Sequence, residues 1–408
     1  MNLIKRNLSL ALTLLIVLFL ISGASAQSLY ESIAGHYSWR NIGPANMGGR
    51  VIDIEGVESN PKIMYAAAAT GGLWKTVNTG ITWEPVFDNE HVSNIGDIGL
   101  SSSNPDIIYL GTGEANGRNS SSYGAGIYKS IDAGETWEFI GLEETYHIAR
   151  IIVHPSDPDI AYAAAMGKLW ADNEDRGLYK TADGGRTWNK VLYIDEKTGI
   201  TDIAMDPVNP SILYAASYER IRDAFSGGDP IKRWGPGSGI WVSTNAGGNW
   251  EKISSGLPMT DMGRIGLSAS KSQPGTVYAL IETSVSPKQI TDKMKESIRL
   301  RREEQNRQTE EEHGGMAFGG IFRSTDHGKT WTRMSTYNSR PFYYSQIRVD
   351  PNDPEVLWMG GMPLGYSDDG GKNVTNDKGG KTHVDYHAVW IDPTDSDHVV
   401  LGCDGGIN

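Results

Sequence analysis

The chain has 408 residues, a formal net charge of −13, 49 glycines, 12 tryptophans and one cysteine. Cys403 alone excludes an internal disulfide framework, so stability has to come from burial. The acidic balance excludes nucleic-acid binding as the main task, because phosphate recognition needs clustered cations, and the many glycines and tryptophans suggest tight turns with regularly placed aromatics rather than disorder.

At the start of the chain, Lys5 and Arg6 precede an apolar run from Leu8 to Ile21 and the small-residue sequence Ala24-Ser25-Ala26. Residues 1–26 therefore read as a secretory signal peptide whose apolar core is shorter than the roughly 20 residues of a spanning helix. Cleavage before Gln27 leaves 408 − 26 = 382 residues and, without Lys5 and Arg6, a net charge of −13 − 2 = −15. An exported protein, periplasmic or secreted, with no integral membrane segment after cleavage is the expectation.

The rest of the chain repeats. The segments KTVNTGITW (75–83), KSIDAGETW (129–137), KTADGGRTW (180–188), VSTNAGGNW (242–250) and RSTDHGKTW (323–331) align directly, and YSDDGGKNV (366–374) is a degenerate sixth. Each follows an apolar strand opener such as GGLW, AGIY or GGIF, and the intact segments precede a second short strand such as TWEFI. Upstream of the boxes, alternating strands meet at proline turns, as in IARIIVHPSDPDIAYAAA and ITDIAMDPVNPSILYAAS. One repeat thus reads as four antiparallel strands, A to D, with a proline turn between A and B and a box turn between C and D. This predicts an all-β fold, a β-propeller of four-stranded blades.

The count comes to about seven blades over residues 27–408. The last blade is either incomplete or closed by the segment YSWRNIGP (37–44), which resembles an orphan D strand. One interruption lacks any β pattern: near 287–313, Ile290, Met294 and Ile298 recur every four residues, which predicts an inserted helix within the propeller.

The boxes match the Ser/Thr-x-Asp-x-Gly-x-Thr-Trp pattern of Asp-box (BNR) repeats. With GTGEANGRNSSSYGAGIYKS, WGPGSGIW and DYHAVWIDPTDSDHVVLGCDGGIN, the chain resembles bacterial sortilin/VPS10-like propeller proteins, often labelled glycosyl hydrolases, and more distantly sialidases, two-propeller xyloglucanases and a photosystem assembly factor. The resemblance implies a propeller that binds a glycan or a peptide or protein ligand. Where xyloglucanases place a catalytic acid before the first Gly-Gly, this chain has Ala68-Ala69-Thr70, and only WRNIGP around Arg40 resembles the sialidase motif.

The box residues Asn78, Asp132, Asp183, Asn245, Asp326 and Asp369 are expected to be structural. Their oxygens can accept backbone N–H groups across the turn, and Asn replaces Asp without losing the acceptor. Strand parity puts the box and proline turns at one end of every blade, with the B–C loops and D–A connections at the other. The variable loops 113–126, 166–177 and 218–239 and the insert all fall at this second end, so function is expected there.

Three groups of candidates follow. The first comprises residues entering the inner strands, Arg50, Asp97, Arg150, Asp202, Arg264 and His387, whose arginines can hold a carboxylate or pair with one another. In the second, His383, Asp385 and His387 project to one side of an extended strand as a weak metal candidate. The third is the loop set Glu114, Asn116 and Arg118, then Arg220, Arg222 and Asp223, then Arg340, Tyr343 and Tyr344, suited to polar recognition or to mutual pairing. Ligand binding is the favoured class, and no cofactor is expected. Glycoside hydrolysis is the alternative, with Glu114 and Asp385 as the catalytic candidates and Asp223 and Asp404 as further available acids.

Overall fold

The computed structural model describes residues 49–118, 121–222, 230–285, 318–376, 378, 380 and 382–408. Among them, seven antiparallel sheets follow one another, six made of four consecutive strands in the order A-B-C-D and the seventh of three. The A strands are Val51–Gly56, Ile95–Leu100, Ile148–His154, Thr198–Met205, Met262–Ala269, Ile347–Val349 and Tyr386–Asp392. These strands are mostly buried, whereas short D strands such as Glu84–Pro85 and Glu138–Phe139 are exposed, so A lies at the axis and D at the rim. The fold is the expected seven-bladed propeller, and the one helical element among the described residues is the short 3-10 turn Glu143–Thr145.

The larger apolar clusters of the core each join two neighbouring blades. Ile52, Tyr65 and Leu73 of blade 1 meet Ile98, Leu110 and Tyr128 of blade 2, and the pattern continues around the ring. The ring closes where Val51, Ile54, Met64 and Ala66 of blade 1 pack on Ala388, Trp390 and Val400 of blade 7. The described part of blade 7 has three strands, Tyr386–Asp392, Asp395–Cys403 and Gly406–Ile407. The expected closing strand 37–44, the signal peptide and the helix near 287–313 lie outside the described residues.

The boxes act as local hydrogen-bond cages. In blade 2, Ser130 Oγ donates to Asp132 Oδ1 at 2.7 Å and accepts the Gly134 N–H at 2.8 Å. The Thr136 N–H donates to the same carboxylate at 2.9 Å and its hydroxyl at 2.6 Å. Equivalent N–H bonds reach Asn78, Asp183, Asn245, Asp326 and the degenerate Asp369 at 2.8 to 3.0 Å. Two box tryptophans tie blades together: Trp137 Nε1 donates to Val86 O and Trp188 Nε1 to Ile140 O, both in the preceding blade.

Buried tyrosines of the B strands add a second latch. The hydroxyls of Tyr65, Tyr109, Tyr162 and Tyr278 donate to Ala133, Pro158, Ala246 and Pro354 carbonyls of the next blade at 2.8 to 3.0 Å.

The cage hydrogen bonds, chiefly from Thr136, hold Asp132 down to about 2. A carboxylate with a depressed folded value contributes stability above its ordinary value near 4 and loses it as pH falls through 2. Asp132→Asn keeps the acceptor, as the natural Asn78 and Asn245 do, but removes the charge. The gap in melting temperature between wild type and this variant is therefore expected at pH 6 and absent near pH 2; a gap constant with pH contradicts the cage account.

Candidate functional site at the loop end

Blades from across the ring contribute to one polar centre at the loop end. Arg50 enters the first A strand, while Glu114, Asn116 and Arg118 come from the B–C loop of blade 2. Arg340, Tyr343 and Tyr344 come from the connection into blade 6, and Asp385, His387 and Asp404 from blade 7. The blade 2 loop starts with a reversal at Gly113, φ +85°, where a Cβ would lie 2.0 Å from the Tyr146 carbonyl oxygen, so a side chain is excluded.

Arg50 grips Glu114 side-on, with Nη2 donating to Oε2 at 2.7 Å and Nε 2.7 Å from Oε1. Glu114 is 1% exposed, and burial pushes its carboxyl up while Arg50 opposes the shift. His387 is fully buried, which pushes its imidazole down to about 4 and keeps it neutral at pH 7. Its Nε2 lies 3.0 Å from Asp404 Oδ1, and its Nδ1 3.4 Å from Asn116 Nδ2. Neutral His387 thus donates to Asp404 and accepts from Asn116. Although burial pulls Asp404 upward, the hydrogen bond from His387 and the nearby charges of Arg50 and Arg118 hold it below its ordinary value.

Tyr343 and Tyr344 are both buried, with rings 5.1 Å from His387, and the Tyr344 hydroxyl donates to Asp385. They shape the centre from beneath. Arg118 and Arg340 lie over the Tyr343 ring at 5.3 and 5.1 Å and are half-buried, and Arg340 also lines a neighbouring cavity. Arg264 donates to the Tyr343 carbonyl at 2.6 Å and positions that segment.

Several candidates lie elsewhere or act inwardly. Arg220 and Arg222, each 1% exposed, donate to the carbonyls of Ala115 and Gly117 at 3.0 and 2.8 Å, which orders the blade 2 loop. Arg150 does not reach the loop end: it pairs with Asp97 at 3.2 Å and with Asp53 and Glu55 at 3.6 Å. It lines a 230 Å³ cavity with the proline-turn residues Pro105, Pro351 and Pro393. Asp97 and Asp202 are staples between A strands, accepting the N–H of Ile151 at 2.6 Å and of Leu267 at 2.8 Å in the following blades.

The period-two metal arrangement does not form. Asp385 has φ +71°, the strand begins only at Tyr386, and the reversal separates exposed His383 from buried His387. No group of three potential ligands is brought together among the described residues. Asp223 and Arg40 lie outside the described residues.

Sequence reasoning missed exposed aromatics in the loops at this end. Tyr123 and Trp170 are 69% and 45% exposed, in loops of blades 2 and 3. The Tyr123 and Tyr146 rings meet edge-on at 6.1 Å, and Lys168 Nζ lies 5.1 Å from the Tyr146 ring. The available signal was a large aromatic in a loop, where no strand alternation requires one.

The family model for Sortilin-Vps10 (sortilin, neurotensin receptor 3) matches residues 125–319, and that for the BNR/Asp-box repeat matches residues 322–333. The chain is an Asp-box β-propeller. An oligoxyloglucan-reducing end-specific xyloglucanase of Emericella nidulans is 23% identical over 331 residues, covering 70% of this propeller and 37% of the relative. A crystal structure of the GH74 xyloglucanase from Xanthomonas campestris aligns with TM-score 0.61 and 18% identity over 91% of this chain and 53% of that one. YCF48 bound to D1 peptide aligns with TM-score 0.52 and 12% identity over 88% and 92% of the two chains. The propeller spans well under half the length of the xyloglucanase relative, and the structural likenesses concern the fold. None of its described helices is long and apolar enough to cross a membrane.

Proposed function

We propose that this is an exported propeller that binds a glycan across its loop-rich end. The observation that carries the reading is a pair of exposed loop aromatics, Tyr123, packed edge-on against half-buried Tyr146, and Trp170, at the loop end that also holds a centre of paired polar groups. Flat aromatic faces pack against the C–H faces of sugar rings, while polar groups fix orientation. Export rests on the leader-like residues 1–26, and the choice of a glycan is supported by the likeness to xyloglucanases.

The acids of the centre favour binding over turnover. Glu114 is gripped by Arg50, Asp404 accepts from His387, and Asp385 accepts from Tyr344. One observation supports glycoside hydrolysis as a second reading: burial raises Glu114, whereas its neighbour Asp404 is lowered, the order required of an acid and a base.

Both readings are tested on residues 27–408 with glycan and peptide arrays and a reducing-end assay on xyloglucan oligosaccharides. Binding without turnover is expected, with Trp170→Ala weakening it about 2- to 10-fold. Turnover abolished by Glu114→Gln or Asp385→Asn would sink the binding-only reading. Binding to peptides alone, indifferent to Trp170→Ala, would sink the glycan.

A further inference from the structure

We propose that a second cavity at the loop end, walled by blade 5, the connection into blade 6 and Arg233 of blade 4, binds an acidic sugar unit, a hexuronate, through Arg340 and Asn338. The proposal rests on the glycan reading for the choice of a sugar; the anionic group is argued from the cavity itself. The cavity measures about 430 Å³, within the roughly 300–1,000 Å³ of small-ligand sites.

Its polar groups are unevenly satisfied. The Asn338 side chain reaches it from the connection after strand Thr332–Ser335, and both Oδ1 and Nδ2 are enclosed without a hydrogen-bond partner. A shielded amide with neither end paired is costly, and a hydroxyl that donates to Oδ1 and accepts from Nδ2 satisfies both.

The charges in the wall do not cancel. Glu282 is committed to Arg233 at 3.5 Å and accepts the Arg264 N–H at 3.2 Å. Arg340 has no carboxylate within ion-pair distance among the described residues, Asp385 acting on it only from farther off; its guanidinium lies 5.3 Å from the Phe342 ring centroid. A planar guanidinium is matched by a carboxylate, which it binds through two parallel N–H bonds. Ile281 and Phe342 supply an apolar wall for the face of a sugar ring. A neutral sugar satisfies Asn338 and leaves Arg340 unpaired, whereas a hexuronate answers both.

The test is calorimetric titration of residues 27–408 at low salt with sodium glucuronate, sodium galacturonate and glucose. At least one uronate is expected to bind at least tenfold more tightly than glucose, with an affinity that falls as salt rises. Arg340→Gln should abolish the preference. Asn338→Asp, nearly isosteric but adding a negative charge to an enclosed cavity, should weaken the uronate more than tenfold at an unchanged melting temperature; Asn338→Ala serves if that variant fails to fold. Equal affinity for glucose and both uronates, or uronate binding indifferent to both positions, overturns the proposal. Trp170→Ala separates the two sites: it should weaken array glycans and leave free uronate binding as in wild type.

Discussion

Trp390→Ala is expected to cost about 3–5 kcal/mol of unfolding free energy, the range for truncating a large buried aromatic. Trp390 is 8% exposed and belongs to the cluster that joins blade 7 to blade 1. Its ring lies so close to Gly56 that a Cβ there would sit 2.3 Å from Trp390, so the indole fills the space that a side chain at position 56 would need. The contact closes the ring of described blades, and a cavity there frees two faces rather than one. Denaturant unfolding measures the loss, with Trp170→Ala as an exposed control expected within about 0.5 kcal/mol. A loss below about 1 kcal/mol for Trp390→Ala would show that other contacts hold the closure.

Arg50→Met is the second large effect, expected to cost about 3–5 kcal/mol at pH 7, because it leaves the enclosed carboxylate of Glu114 without its partner. The pH dependence identifies the cause. Burial already raises Glu114 in the wild type, and removing Arg50 raises it further. An acid with a raised folded value binds more protons folded than unfolded. Its effect is absent below the ordinary carboxylate range and grows destabilising as pH rises above it. The penalty of Arg50→Met should therefore shrink below about pH 4, and the double variant with Glu114→Gln should recover most of it at pH 7. A penalty equal at pH 4 and pH 7 would assign the loss to packing of the arginine stem instead.

The blades were legible because their chemistry is local. Ser130, Asp132, Gly134 and Thr136 bond to one another within seven residues, so a nine-residue window carries the whole turn. The short register of each A–B pair, such as Asp53↔Ala67 and Ile54↔Ala66, follows from the proline turn between them. Parity then separated the uniform end from the variable one without any tertiary knowledge.

The site was only partly legible. Glu114, Asn116 and Arg118 were found because they share one loop, yet Arg220 and Arg222 looked equally exposed in theirs. Their carbonyl partners lie 105 residues earlier in the chain, beyond any local pattern. Tyr343 and Tyr344 read as loop-tip aromatics and are in fact the base beneath His387. Asp385 broke the strand alternation assigned to it through a positive φ, which non-glycine residues adopt when neighbours over-determine them.

What the sequence alone determined is the repeating blade, its Asp-box turns and the end of the ring on which variation collects, since these depend on hydrogen bonds and alternation spanning a few residues. Tertiary structure decided which polar side chains turn inward as struts and which line the loop-end centre. It also decided that Glu114, His387 and Asp404 titrate as neighbours and that Asn338 and Arg340 share a cavity. Those outcomes depend on desolvation by residues from other blades, and no stretch of sequence contains both the group and what buries it.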